Sequence, residues 1–300
     1  MRAPMMLLVP AALLFWFNLA NAQTDPHAQH AAVHSSQMTA SSAQTDADLP
    51  PSEDNAKAVL EKSPRHGEYV QVKQPGSDVP IRTWVVYPER KGKAPVVIVI
   101  HEIFGLSDWI RGVADDLAKR GFIAVAPDLI SGKGPGGGGT EAAGSRDDVV
   151  KLVTALSKDD VRARLDAVRD YAITLPAANG RSATVGFCWG GSTSFQYAAT
   201  QPALNAAVVF YGTAPDAAAM ANIKAPVLGL YGGDDARVTA TVEPTKTGMQ
   251  KLGKVYEPHI FEGAGHGFVR AQSGREGANL KATKEAWPLT IAFLRKHAGA

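Results

Sequence analysis

The sequence predicts an α/β protein: a mostly parallel sheet with helices on both faces. Three observations predict it. Short runs of branched apolar residues recur along the chain, segments of helical periodicity separate them, and glycines punctuate the ends of the runs. "EYVQVKQP" (68–75) and "IRTWVVYP" (81–88) read as two strands joined by a Gly-Ser-Asp turn. "PVVIVIH" (95–101) is a continuous apolar run of the kind buried on both faces of a parallel sheet. Similar runs follow at 122–127, 183–187, 206–212 and 226–232. Helical patterns lie between them at 108–120, 146–156, 159–174, 191–200 and 240–252, and a last helix over 281–297 closes the chain.

The chain has 300 residues, 45% hydrophobic and 20% charged, with a formal charge of +2. That balance is ordinary for a globular protein, and with no basic run interleaved with aromatics it excludes a nucleic-acid partner. Residues 1–22 read as a signal peptide. Arg2 supplies the positive start, Met5 to Phe17 the apolar run, and Ala20-Asn21-Ala22 the cleavage site. The run is shorter than the roughly 20 residues a membrane helix needs, so no stable span is expected after cleavage, and the protein is expected in the periplasm or outside the cell. Residues 23–63, rich in Ala, Ser, Gln, Thr and Asp, read as a flexible linker in which His27, His30 and His34 are solvated. Residues 64–300 are expected to form one domain, acting as a monomer.

The single cysteine stands in "VGFCWGG", between a strand and a helix. Gly186-Phe187-Cys188-Trp189-Gly190 has the spacing of a nucleophile elbow, a turn so sharp that the positions two before and two after the nucleophile crowd each other and must be small. The helix starting beneath the sulfur favours its thiolate. A thiol needs a base. Asp234 and Asp235 follow one later strand, and His266 follows the next, which completes a nucleophile, acid, histidine order. The two aspartates compete for the place beside the histidine. "GKGPGGGG" (132–139) lacks the end of a phosphate loop, and "GAGHG" (263–267) lacks the setting of a dinucleotide site; both read as mobile loops.

"HEIFGL", "GFCWGG", "GGDDARV" and "GAGHGF" together resemble the dienelactone hydrolase family, α/β-hydrolases with a cysteine nucleophile, over about residues 66–297. The resemblance implies Cys188 as nucleophile, His266 as base and Asp235 rather than Asp234 as the acid. It implies that Glu102 contacts the resting thiol and helps deprotonate it, and that the amides of Ile103 and Trp189 form the oxyanion hole. Arg146 and Arg270 match two arginines that hold a substrate carboxylate, which a guanidinium fork suits. No metal or organic cofactor is implied. The expected reaction is cleavage of a small carboxylic ester or carboxylate-bearing lactone through a thioester.

Departures from the family pattern bear on the substrate. Members acting on dienelactone tend to line the pocket with tyrosines, and Phe210, at the aligned position, has no hydroxyl. Trp189 is bulky beside the nucleophile. The alternatives are a broad carboxylesterase or thioesterase without lactone preference, and a binding protein that keeps the cleft without turnover. A redox role lacks a second, resolving cysteine.

Overall fold

The computed structural model describes residues 48–299. The signal-peptide segment and the three linker histidines lie outside the described residues. Among the described residues eight strands appear: β1 (Gly67–Val72), β2 (Ile81–Val86), β3 (Ala94–Ile100), β4 (Ile123–Pro127), β5 (Ala178–Phe187), β6 (Ala206–Phe210), β7 (Val227–Gly232) and β8 (Tyr256–Phe261). The helices are α1 (Ala56–Glu61), α2 (Asp108–Lys119), α3 (Arg146–Thr154), α4 (Lys158–Ile173), α5 (Trp189–Thr200), α6 (Ala217–Met220), α7 (Ala236–Thr239), α8 (Val242–Lys251) and α9 (Ala278–Ala298). The strands form one sheet in the order β1-β2-β4-β3-β5-β6-β7-β8. The pairs β1–β2 and β2–β4 are antiparallel, and every later pair is parallel.

The continuous apolar runs follow from burial on both faces, because alternate residues of a strand point to opposite sides. Val97 and Val99 of β3 pack with Val208 and Phe210 of β6 against Trp109 and Leu117 of α2 and Trp287 and Leu294 of α9. Val96, Ile98 and Ile100 face the other way, against Leu165 and Val168 of α4 and Phe195 of α5. Serine side chains start three helices: Ser107, Ser145 and Ser157 accept hydrogen bonds from Ile110, Asp148 and Asp160 amides. Among the described residues no helix is long and apolar enough to cross a membrane.

β8, the strand expected before His266, carries Pro258 and polar residues rather than an apolar run; it sits at the sheet edge, where a proline is tolerated. One expectation changes. The linker reading over 23–63 fails for its last part. Leu49, Pro50, Pro51 and Ser52 are buried, and residues 56–61 are helical. Composition missed this because the segment packs through proline rings, a single leucine and Ala56 rather than a run of large apolar side chains. Pro51 lies against Gly112 and its carbonyl accepts from Trp109 Nε1 at 2.9 Å, while the Pro50 carbonyl accepts from Gln272 Nε2 at 2.9 Å.

Candidate active site

β5 and α5 meet at Cys188, whose backbone takes φ 55° and ψ −115°, a conformation that costs a non-glycine residue about 1–3 kcal/mol. The turn is held on both sides. The Cys188 amide donates to the Phe210 carbonyl at 3.0 Å, and the Cys188 carbonyl accepts from Ser192 at 3.1 Å. A Cβ on Gly186 would overlap the Gly190 carbonyl, and one on Gly190 would overlap the carbonyls of Ile100 and His101. The start of α5 therefore lies directly on the end of β3. That approach brings together the two segments carrying the Trp189 and Ile103 amides. Trp189 is the first residue of its helix, where no carbonyl lies one turn back to receive its N–H.

His266 follows β8. Its Nδ1 donates to Asp235 Oδ2 at 2.5 Å, and the aspartate, just past β7, is buried. Asp234 turns outward and accepts from Arg275 at 3.0 Å. The structure thus separates the two neighbouring acids. Burial lowers the His266 pKa, but the Asp235 hydrogen bond, then the hydrogen bond and charge of Cys188, outweigh it and push the imidazole up to about 10. Cys188, His266 and Asp235 are therefore in one chain of contacts, with the half-buried thiol at its open end.

Glu102 is buried and lies 2.7 Å from Arg270 Nε, an ion contact without hydrogen-bond alignment, since neither atom has a hydrogen-bond partner. No hydrogen bond joins it to Cys188. Glu102 lies against the arginine, since a full charge in buried surroundings attracts a carboxylate more strongly than a weak S–H donor does. Arg146 and Arg270 are brought together, over the ring of Phe104 at 3.6 and 5.3 Å. Between them stands Glu53. Its Oε1 lies 3.2 Å from Arg146 Nη1, and its Oε2 accepts from Arg270 Nη1. Burial opposes the charge on Arg270, but Glu102 and Glu53 raise its pKa.

Three neighbours of the candidate site were not singled out in the sequence. Tyr211, at φ 41°, places a buried hydroxyl beside Glu102 and Cys188, with its ring 5.0 Å from His266. Burial, then the charge of Glu102, keeps this phenol neutral. The expectation of a missing hydroxyl at Phe210 is corrected here: Phe210 belongs to the core, stacked on Phe187 at 4.8 Å, and the tyrosine comes one residue later. Its position just past a parallel strand's carboxyl end was the available signal. His101 is fully buried. Its Nδ1–H donates to the Glu102 carbonyl at 2.6 Å, its Nε2 accepts from Leu129 N at 3.2 Å, and its ring stacks on Trp189. Burial lowers its pKa, so the neutral ring braces the turn that carries Glu102 and Ile103. The third is Glu53, hidden in a segment read as linker.

A cavity of about 450 Å³ opens beside Trp189 and Ser192, between α4, α5 and the loop at Thr213. Residues 132–139 close on themselves, the amides of Gly132 and Gly134 both donating to the Gly138 carbonyl at 3.0 and 2.9 Å.

A strained cysteine between a central parallel strand and a helix, with an acid and a histidine after the later strands, defines the class: this is an α/β-hydrolase. The chain belongs to the dienelactone hydrolase family, whose model matches residues 81–298, and it is a hydrolase. A Methylorubrum extorquens protein named "Putative carboxymethylenebutenolidase" is 35% identical over 226 residues, covering 69% of this chain and 77% of that protein. One of the same name from Salmonella typhimurium is 31% identical, covering 69% and 79%. The crystal structure of a "Putative Dienelactone Hydrolase" from Klebsiella pneumoniae superposes with a TM-score of 0.68 at 28% identity, covering 78% of this chain and 99% of that one.

Proposed function

We propose that the protein hydrolyses small carboxylic esters or lactones with Cys188, His266 and Asp235 as its triad. The observation that carries this reading is the contact chain from the strained Cys188 through His266 to Asp235. Sγ attacks the carbonyl carbon as thiolate while His266 holds the proton. The oxyanion that forms meets the Ile103 and Trp189 amides. As the C–O bond breaks, the imidazolium gives its proton to the leaving oxygen, which in a lactone stays tethered to the acyl group. A thioester remains. His266 then takes a proton from water, the hydroxide adds, and the C–S bond breaks to release the acid. Tyr211 and Glu102 border this path, and Arg270 neutralises Glu102.

In the resemblance, Arg146 and Arg270 anchor a substrate carboxylate. Here Glu53 bridges both guanidinium groups. That favours the second reading, an esterase without a demand for an acidic lactone. Both readings share one test. Cys188→Ala should lower ester turnover by at least about a thousandfold with its circular dichroism unchanged. Asp235→Asn should cost about 10²–10⁴-fold, and Asp234→Asn far less. Wild-type turnover by Cys188→Ala would sink the triad.

A further inference from the structure

The two arginines gripped by Glu53 are the feature that the hydrolase chemistry leaves over. The Glu53 side chain is partly exposed, but its backbone is fixed. Its own amide donates to the Arg270 carbonyl at 2.9 Å, and the residues before it are pinned by Trp109 and Gln272. Its carboxylate reaches both guanidinium groups at once, one on the nearly buried Arg270 and one on the half-exposed Arg146. With Glu102 on Arg270 as well, the two positive charges of this corner are balanced by two negative ones. An incoming carboxylate would add an uncompensated charge to a partly desolvated site, or would have to displace a carboxylate held there by its own chain. Glu53 also lies before residue 81, where the family match begins.

We propose that Glu53 is a specificity-determining residue: it fills the arginine pair with a built-in carboxylate, excludes acyl groups bearing a second carboxylate, and directs the enzyme to uncharged esters and lactones. The proposal rests on the ester-hydrolase reading above. The neutral corner it creates leaves Arg146 stacked on Phe104, so an uncharged acyl group meets the aromatic ring and the aliphatic stems of the arginines rather than a free cationic fork.

The test compares two esters of similar length, p-nitrophenyl butyrate and the mono-p-nitrophenyl ester of glutarate, on the full chain. Wild-type kcat/KM should favour the uncharged ester by at least about tenfold. In Glu53→Gln the ratio of the two should move toward the anionic ester by about ten- to a hundredfold, the range one charged hydrogen bond supplies. Adding Arg146→Ala to that variant should remove most of the gain. Calorimetry with glutarate on Cys188→Ala protein should show binding only when Glu53 is also replaced. A wild-type preference for the anionic ester would overturn the proposal, and so would an unchanged ratio in a folded Glu53→Gln protein. If Glu53→Gln fails to fold, the wild-type ratio and Glu53→Asp, whose shorter carboxylate loosens the bridge and should shift the ratio in the same direction, decide it. Turnover of neither ester by wild type would sink the hydrolase reading instead, and glutarate calorimetry would still decide the place of Glu53.

Discussion

His266 shows how one side chain's surroundings set both chemistry and stability. In an unfolded chain its imidazole titrates near 6.5, whereas the Asp235 carboxylate and the Cys188 sulfur push it up to about 10 against the pull of burial. Between those values the folded protein binds a proton that the unfolded chain has lost, so stability from this group falls as pH rises. The contribution is fully present below about pH 6.5 and gone above about pH 10. Denaturant unfolding of wild type and His266→Gln across that range should show the wild-type advantage shrinking with pH. An advantage that grew would mean the folded protein holds the imidazole neutral, with burial outweighing Asp235 and Cys188. At the same scale Asp235 and Asp234 differ only in direction: one is buried on the imidazole and the other is out on Arg275.

The elbow is a property of two elements pressed together. β5 and α5 place a cysteine at positive φ because the neighbouring glycines let the helix start on the end of β3. Gly190→Ala would drive a methyl group into the Ile100 and His101 carbonyls, backbone atoms that cannot step aside. Overpacking of that kind costs about 1–3 kcal/mol, and here it would also move the Trp189 amide from the place proposed for it beside Ile103. Gly248 in α8 provides the contrast. Its added Cβ would meet only the flexible end of Met220, at 3.2 Å, while alanine gains up to about 1 kcal/mol in helix propensity. Chemical denaturation should show the first substitution destabilising and the second neutral or stabilising; equal effects would contradict the packing argument.

At the scale of the whole molecule, the site is a consequence of topology. β3, β5, β6, β7 and β8 run parallel, so their carboxyl ends share one edge of the sheet. Glu102 and Ile103 follow β3, Cys188 follows β5, Tyr211 follows β6, Asp235 follows β7, and His266 and Arg270 follow β8. Each loop contributes one or two groups, and the edge collects them, as expected for ligand sites in open α/β sheets. We also propose that the chain is exported, on the strength of Arg2, the apolar run after it and Ala20-Asn21-Ala22. Mass spectrometry of protein from the producing cell's envelope should find Gln23 at the amino terminus; an intact Met1 there would overturn export.

The sequence by itself determined the α/β architecture, the elbow around Cys188 and the order in which acid and histidine follow. These are legible because they are local: strand burial writes itself as apolar runs, and a sharp turn admits only glycine at fixed offsets. The bounds of β8, marked only as a strand before His266, and the buried segment at 49–52 were not, since an edge strand and a proline-packed segment need no such runs. Only the tertiary structure buried Asp235 on the imidazole and turned Asp234 out to Arg275, put a tyrosine hydroxyl at 211 rather than 210, turned Glu102 toward Arg270, and set Glu53 between two arginines. Glu53 and Arg270 are separated by 217 positions in the chain. No periodicity or spacing carries that pairing, because the partner of a charge is chosen by whichever opposite charge the folded backbone brings within reach, and that choice is made by the packing of the whole domain.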